Sequence, residues 1–320
     1  MVQKEKIVIG IRDSLLSKAQ TREFISNASH SINGIEEDDF SIKYIKTTGD
    51  IKNKERLDQL GGKGLFVKEI EEHLLSGEID IGVHSMKDMP SKDHQSLEIF
   101  CFMKRVDNSD VLISNSGKSL YELESGSTVG TSSIRRRSQL LNLRKDLNIK
   151  LLRGNVDTRL KKLNNLEYDA IILAFAGLKR LKIQNKITQV LDQKLFLPAG
   201  GQGVIGIQSR CNSKYKEIFK TINDENTEIA NISERTFLRT INANCNSPVC
   251  VYANVENQKL KIRSQIFSHD GELIFFNTME GDKKECNEIG IRLGRLAIKS
   301  LGQKTIDELD ILKNDFNYTP

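Results

Sequence analysis

The 320-residue sequence contains no tryptophan, only four prolines and no long apolar run. Its longest such run, Ala170–Leu178, falls well short of the roughly 18 residues that a membrane-spanning helix needs. A membrane partner is therefore not expected. A signal peptide is not expected either, because the opening Met-Val-Gln-Lys-Glu-Lys runs straight into a strand pattern. The five cysteines, odd in number and scattered, point to free thiols in a reducing cytoplasm rather than to a disulfide framework. The histidines (His30, His73, His84, His94 and His269) stand apart and no cysteine pair has finger spacing, so no metal site is expected. Charge of one sign is also scarce, with 48 basic residues against 43 acidic ones and a net charge of +5. The basic residues are not interleaved with aromatics as a base-stacking surface requires. Nucleic acid is thus not an expected partner.

What is present is the composition of a soluble globular protein, 38% hydrophobic and 28% charged, long enough for two or three domains. The stretch Ile79–Pro90 starts as a buried strand, with apolar residues at 79, 81 and 83, then turns polar and stops at a proline. His84, Ser85, Lys87 and Asp88 are thereby placed just past a strand's carboxyl end, where α/β sheets form their ligand crevices. A capped turn with a solvated lysine is the plainer reading. Upstream, Lys6–Ile11 reads as a strand leading through Arg12 and Ser14 into a helix, with Ser14 a plausible N-cap. Ser41–Lys46 reads as a second strand. Residues 47–64 are polar and end in Gly61-Gly62-Lys63-Gly64, either a mobile lid or an ordinary disordered loop. The glycines lack Walker spacing. Phe66, Val67, Ile70 and Leu74 then mark one face of a helix. Strand, helix, strand, helix, strand is a parallel α/β unit.

Beyond Lys104–Ser109 a second α/β unit is expected. Strands at 110–114 and 128–130 precede Thr131-Ser132-Ser133-Ile134-Arg135-Arg136-Arg137, where a helix should begin near Ser132 or Ser133. Arginines in the first turns of a helix oppose its dipole by about 0.3–1 kcal/mol each. They make sense if a carboxylate or phosphate occupies that N-terminus, and a solvated basic face is the alternative. Arg153 and Arg159 follow the strand at 149–152, and Arg180 follows the strand at 169–175. Several segments thus bring arginine forks, which bind carboxylates in bidentate fashion, to one crevice edge. Gly201–Gly206 forms a G-x-G-x-x-G but leads into a strand, so it is not a dinucleotide fingerprint. From Glu225 the pattern changes to a helix, three strands around an Asp270-Gly271 hairpin signal and a final helix. This is a smaller α+β domain with an antiparallel sheet. Cys245, in the polar loop ahead of its first strand, is either a nucleophile or an inert thiol.

Six motifs in order carry a resemblance that runs nearly end to end. They are Arg12-x-Ser14, Gly61–Glu69, Val83–Asp88, Gly130–Arg136, Leu152–Arg159 and Leu197–Gly203. The sequence resembles the porphobilinogen deaminase (hydroxymethylbilane synthase) family. That resemblance implies a transferase that joins four porphobilinogen units head to tail, releases ammonia at each step and frees the linear tetrapyrrole by hydrolysis. It implies a dipyrromethane cofactor held by a thioether to Cys245, and a cytoplasmic monomer in which porphobilinogen is the small-molecule partner. The fold implied is two periplasmic-binding-protein-like α/β domains, 1–104 with 203–222 and 105–202. A small C-terminal α+β domain, 223–320, with a three-stranded antiparallel sheet completes it. The catalytic residue implied is Asp88. Cofactor binding falls to Cys245, Asp50, Ser85, Lys87, Thr131, Ser132, Ser133, Arg135 and Arg136. Substrate binding falls to Arg12, Ser14, Gln20, Lys63, Phe66, Arg153, Arg159, Arg180 and Gln202. A non-catalytic two-lobed anion-binding protein and a nicotinamide-dependent enzyme are the competing classes.

Overall fold

The computed structural model describes residues 5–47, 67–244 and 247–310. The described residues fall into two compact units. One takes in the chain up to Val106 together with Gly203–Glu228, and the other takes Asp107–Gln202 and the chain from Ile229 on.

The first unit begins with β1 (Ile7–Arg12), whose Ile7, Ile9 and Ile11 are buried. Helix α1 (Leu15–Ser31) follows, capped as expected by Ser14, whose hydroxyl accepts the Ser17 N–H at 3.1 Å. Such a cap stabilises a helix by about 1 kcal/mol. Strand β2 (Phe40–Ile45) lies parallel to β1. Helix α2 (Lys68–Ser76) buries Ile70 and Leu74 and stops at Gly77, whose φ of 77° is the left-handed conformation that closes helices. Strands β3 (Ile81–Ser85) and β4 (Leu97–Phe102) complete this stretch.

The second unit holds β5 (Asp110–Ser114), β6 (Thr128–Thr131), α3 (Ile134–Leu143), β7 (Asn148–Leu151), α4 (Val156–Asn164), β8 (Ala170–Ala174), α5 (Phe175–Arg180) and the short β9 (Gln189–Val190). Ser133 caps α3 and Asn155 caps α4, each side chain accepting an N–H three residues on. The chain then returns to the first unit as β10 (Ile205–Arg210) and α6 (Tyr215–Phe219).

Each unit contains a five-stranded sheet, ordered β2-β1-β3-β10-β4 and β7-β6-β8-β5-β9. The expected parallel run is present in β1, β2 and β3. The sheets as wholes are mixed, however, since β10 runs antiparallel to β3 and β4, and β5 antiparallel to β8. Apolar patterning marks a buried strand but not its direction.

Helix α7 (Glu225–Thr240), the meander β11 (Val249–Glu256), β12 (Lys259–Phe267) and β13 (Leu273–Asp282), then α8 (Cys286–Leu301) and α9 (Gln303–Asp310) close the chain. The three strands form the expected antiparallel sheet. Phe237, Ile262, Ile289 and Leu293 share its core. Helices α7 and α8 meet closely at two glycines. A Cβ on Gly290 would lie 2.6 Å from the Ser233 carbonyl oxygen, and one on Gly294 would lie 2.6 Å from Thr240 Cβ.

Candidate active site

In the first unit, a pocket opens where β1 and β3 end. Arg12, Ser14, Ser17, Gln20, His84, Ser85 and Asp88 line it, with Val67 and Ile70 from the start of α2. Backbone connectivity explains the convergence. Parallel strands β1 and β3 finish at the same edge, the Arg12–Ser14 turn delivers α1, and a single 3-10 turn at Met86–Asp88 delivers Asp88. Gln20, on the inner face of α1, donates its amide N–H to Ser85 Oγ at 2.7 Å and so fixes that hydroxyl's lone-pair side. Asp88 is exposed and Lys87 half-buried. The pocket thus joins a cation, several hydroxyls and a carboxylate.

His84 departs from its expected place. It lies within β3, not beyond it, and is 5% exposed. Burial pushes its imidazole down to about 4.

In the second unit, Thr131, Ser132 and Ser133 lie at the end of β6, beside the end of its parallel neighbour β7. Arg153 follows β7 and is half-buried. Arg159, one turn into α4, donates from Nη2 to Ser132 Oγ at 3.2 Å and from Nε to the Gly154 carbonyl at 2.8 Å. Thr131 Oγ1 accepts the Ser133 N–H at 3.2 Å. Arg180, also half-buried, closes α5 after β8. Ser132 and Arg159 are therefore brought together by adjacent parallel strands.

Arg135 and Arg136 correct the expectation of an open basic turn. They are 4% and 5% exposed, and both reach Asp110, at the start of β5. Arg135 Nη2 meets Asp110 Oδ2 at 2.7 Å; Arg136 Nη2 and Nε meet Oδ1 at 2.7 and 3.0 Å. Their remaining forks reach the carbonyls of Leu197, at 2.7 Å, and Ile172, at 3.1 Å. Gln202 is also inside, 1% exposed, donating to the Asn108 carbonyl and to Asp110 Oδ1 at 2.7 and 3.0 Å. Burial alone would raise the Asp110 carboxyl, but the two guanidiniums hold it down to about 2. The carboxylate that arginines in a first turn call for is supplied, at this point, by the chain itself. Sequence reasoning missed Asp110; the available signal was an acid opening the apolar strand Val-Leu-Ile.

Asp50, Lys63, Phe66 and Cys245, with most of the expected lid at 47–64, lie outside the described residues. Asn244 and Ser247 flank Cys245. The Asn244 N–H donates to Ser247 Oγ at 2.9 Å, and the Ser247 N–H to the Asn244 carbonyl at 3.1 Å. Cys250 is fully buried, and burial pushes its thiol up to about 12.

Each unit by itself sets hydroxyl and guanidinium groups at parallel-strand ends, in the first beside a carboxylate, which defines the class, an α/β protein whose strand-end side chains suit small anionic molecules. Residues 7–217 match the family description "Porphobilinogen deaminase, dipyromethane cofactor binding domain", and residues 229–299 match "Porphobilinogen deaminase, C-terminal domain". A porphobilinogen deaminase of Bacillus cereus is 43% identical over 304 residues, covering 94% of this chain and 97% of that protein. The one from Chlorobaculum parvum is 38% identical over 313 residues, covering 96% and 98%. The chain belongs to the porphobilinogen deaminase family. Among solved structures, the methionine binding protein MetQ is 16% identical with a TM-score of 0.44, covering 69% of this chain and 89% of its own. The Bordetella pertussis BvgS VFT2 domain is 15% identical with a TM-score of 0.40, covering 68% and 86%. Likenesses that distant assign nothing here.

Proposed function

We propose that this protein is a hydroxymethylbilane synthase, condensing four porphobilinogen molecules head to tail with loss of ammonia and releasing the linear tetrapyrrole. The observation that carries this reading is the pocket at the ends of β1 and β3, which sets Asp88 among Arg12, Ser14 and Ser85, in a chain matched to the family over nearly its whole length. The reading takes the protein to be a cytoplasmic monomer of three domains. Among the described residues no helix is long and apolar enough to cross a membrane.

Each pyrrole ring carries an acetate and a propionate, so substrate and product are anionic. Arg12 and Ser14 in the first unit, and Ser132, Arg153, Arg159 and Arg180 in the second, supply complementary donors. Gln20 acts through Ser85, and Gln202 acts through Asp110. Arg135 and Arg136, anchored on that same carboxylate, set the first turn of α3, and with it Ser132 and Ser133, at the end of β6.

Loss of ammonia from porphobilinogen leaves a methylenepyrrolenine protonated on its ring nitrogen. A carboxylate facing that N–H stabilises the cation more than the neutral ground state. Asp88 is assigned this role, with proton transfer to the departing amine as a second one. Lys87 and Ser85 beside it hold side-chain carboxylates.

The dipyrromethane cofactor, when bound, supplies the free pyrrole α-carbon on which the chain is started. The donor set fits a carboxylate-rich group, since Ser132 and Arg159 converge within 3.2 Å. The buried, weakly acidic thiol of Cys250 is a poor nucleophile, which favours Cys245 for the thioether. The intact mass of the purified protein is expected to exceed the chain mass by two linked pyrrole units, and the Cys245→Ser variant is expected to lack that excess. Supplied with porphobilinogen, the purified protein should form hydroxymethylbilane. Absence of both the excess and the product, even after incubation with porphobilinogen, would overturn the reading.

A further inference from the structure

The first buried position of α1 is a serine whose hydroxyl has nothing to bond. The inward stripe of this helix runs Ser17, Gln20, Thr21, Phe24 and Ala28, at spacings of three and four residues that keep one face toward the sheet. Gln20 fixes the direction, since its amide reaches Ser85 at the end of β3. Phe24 and Ala28 enter the core with Ile9, Ile11 and Val83. Ser17 stands one turn nearer the helix start, is 8% exposed and lines the pocket with Ser14, Gln20 and Ser85.

The backbone groups of Ser17 are already committed. Its N–H goes to Ser14 Oγ at 3.1 Å, and its carbonyl accepts from Thr21 Oγ1 at 2.9 Å. The hydroxyl is different. Hydroxyls inside helices often return to a carbonyl three or four residues back, as Thr21 does to Ser17 and Ser29 to Ser26. Ser17 Oγ makes no such bond and has no partner among the described residues. Burying a hydroxyl without a partner is unfavourable, and alanine would suit both the packing and the helix better. The unmade bond is accounted for if a ligand in the pocket brings an acceptor.

The surroundings specify the charge of that ligand. A helical side chain leans toward the helix N-terminus, so Ser17 faces the first turn of α1. There the N–H groups of Leu15 and Leu16 have no carbonyl within the helix to reach, and the turn holds no acidic residue. Arg12 brings a guanidinium to the same pocket. An anion is favoured at such a place. Asp88 comes from a different element, the turn after β3, and suits a pyrrole N–H. In porphobilinogen the N–H lies on one edge of the ring and the acetate and propionate on the opposite edge. One ring can therefore offer a donor to Asp88 and an anion to α1.

We propose that Ser17 is a further substrate contact, whose hydroxyl donates a hydrogen bond to one side-chain carboxylate of the porphobilinogen held beside Arg12 and Ser14. The proposal rests on the reading of the protein as a hydroxymethylbilane synthase. A carboxylate remote from the reacting carbon is held alike in ground and transition states, so the contact acts on KM and not on kcat.

Ser17→Ala removes Oγ alone and leaves both backbone bonds in place. The variant should keep the parent's urea midpoint and its two-pyrrole mass excess. Its KM for porphobilinogen should rise about 10-fold, the lower end for a hydrogen bond to a charged group, with kcat unchanged. Two analogues, with ethyl in place of the acetate or propyl in place of the propionate, are then compared as competitive inhibitors. One should inhibit parent and variant equally, because the carboxylate that Ser17 meets is gone. The other should bind the variant about 10-fold more weakly. An unchanged KM would overturn the proposal, as would an effect of the same size on both analogues, which is what a packing defect produces. Loss of the mass excess in Ser17→Ala would give the hydroxyl to the cofactor and likewise overturn it. A parent protein that neither carries the excess nor makes hydroxymethylbilane would instead defeat the underlying reaction.

Discussion

Replacing Asp110 by asparagine should destabilise the second unit more than any single change at an exposed arginine. Asp110 is fully buried and accepts from Arg135 Nη2, Arg136 Nε and Nη2 and Gln202 Nε2. Asparagine keeps one acceptor oxygen but turns an N–H toward a guanidinium, leaving two buried cations without their shared counter-charge. Two estimates bracket the cost. The carboxyl is lowered from 3.8 to about 2, and at 1.36 kcal/mol per unit the charge is worth about 2 kcal/mol in place. Removing one partner of a buried ion pair typically costs about 3–5 kcal/mol. We expect a loss of about 2–5 kcal/mol in urea unfolding, followed by far-ultraviolet circular dichroism because the chain has no tryptophan. The direction with pH follows from the same shift. A carboxyl lowered on folding adds stability that is present above pH 3.8 and lost as the pH falls toward 2. A triple change, Asp110→Leu with Arg135→Met and Arg136→Leu, removes all three charges together and should cost less than Asp110→Asn alone. If Asp110→Asn unfolds at the same urea concentration as the parent, or if the triple variant is much the weaker, the carboxylate does not organise the cluster.

Four further outcomes are expected. Asp88→Asn should lower kcat by about 10²–10³-fold, the usual cost of losing one preorganised electrostatic group, with cofactor mass unchanged; full activity in a steady-state assay would remove Asp88 from the mechanism. Cys250→Ser should keep the two-pyrrole mass excess, whereas Cys245→Ser should lose it, and the reverse result would move the thioether. His84, lowered from 6.5 to about 4 by burial, stays neutral in the folded protein while the unfolded chain takes up a proton below pH 6.5. Stability should therefore fall by about 3 kcal/mol between pH 6.5 and 4, and His84→Gln should flatten that part of the stability–pH curve. Arg159→Ala, which frees Ser132 from its 3.2 Å partner, should raise KM for porphobilinogen more than it lowers kcat, and unchanged KM would place Arg159 outside the substrate path.

The local features of this fold were legible because they are written in short-range chemistry. Ser14, Ser133 and Asn155 cap α1, α3 and α4, and each could be read from a small polar residue ahead of an apolar period. Most strand positions were legible within a residue or two for the same reason, although the far end of β13 and the short β9 were not. Direction was not. The apolar runs at 110–114 and 204–208 look like any buried strand, and only the path of the chain makes β5 and β10 antiparallel to their neighbours.

That directional gap is what hid the two buried polar centres. Because β5 runs opposite to β8, its first residue, Asp110, pairs with Ala174 at the edge where β8 ends, in reach of α3. Because β10 runs opposite to β3, the buried Gln208 lands across from Gly82, within reach of Glu71 on α2. An arginine pair in a first helical turn is consistent with a bound ligand and with an internal salt bridge, and periodicity alone gives no means of choosing. The choice depends on whether an acid elsewhere opens a buried strand whose direction brings it to the same edge. Asp110 met that condition, so Arg135 and Arg136 are most directly explained as the frame on which Ser132 and Ser133 are presented. Arg153, Arg159 and Arg180, which follow parallel strands and are half-buried, are the better candidates for meeting substrate carboxylates.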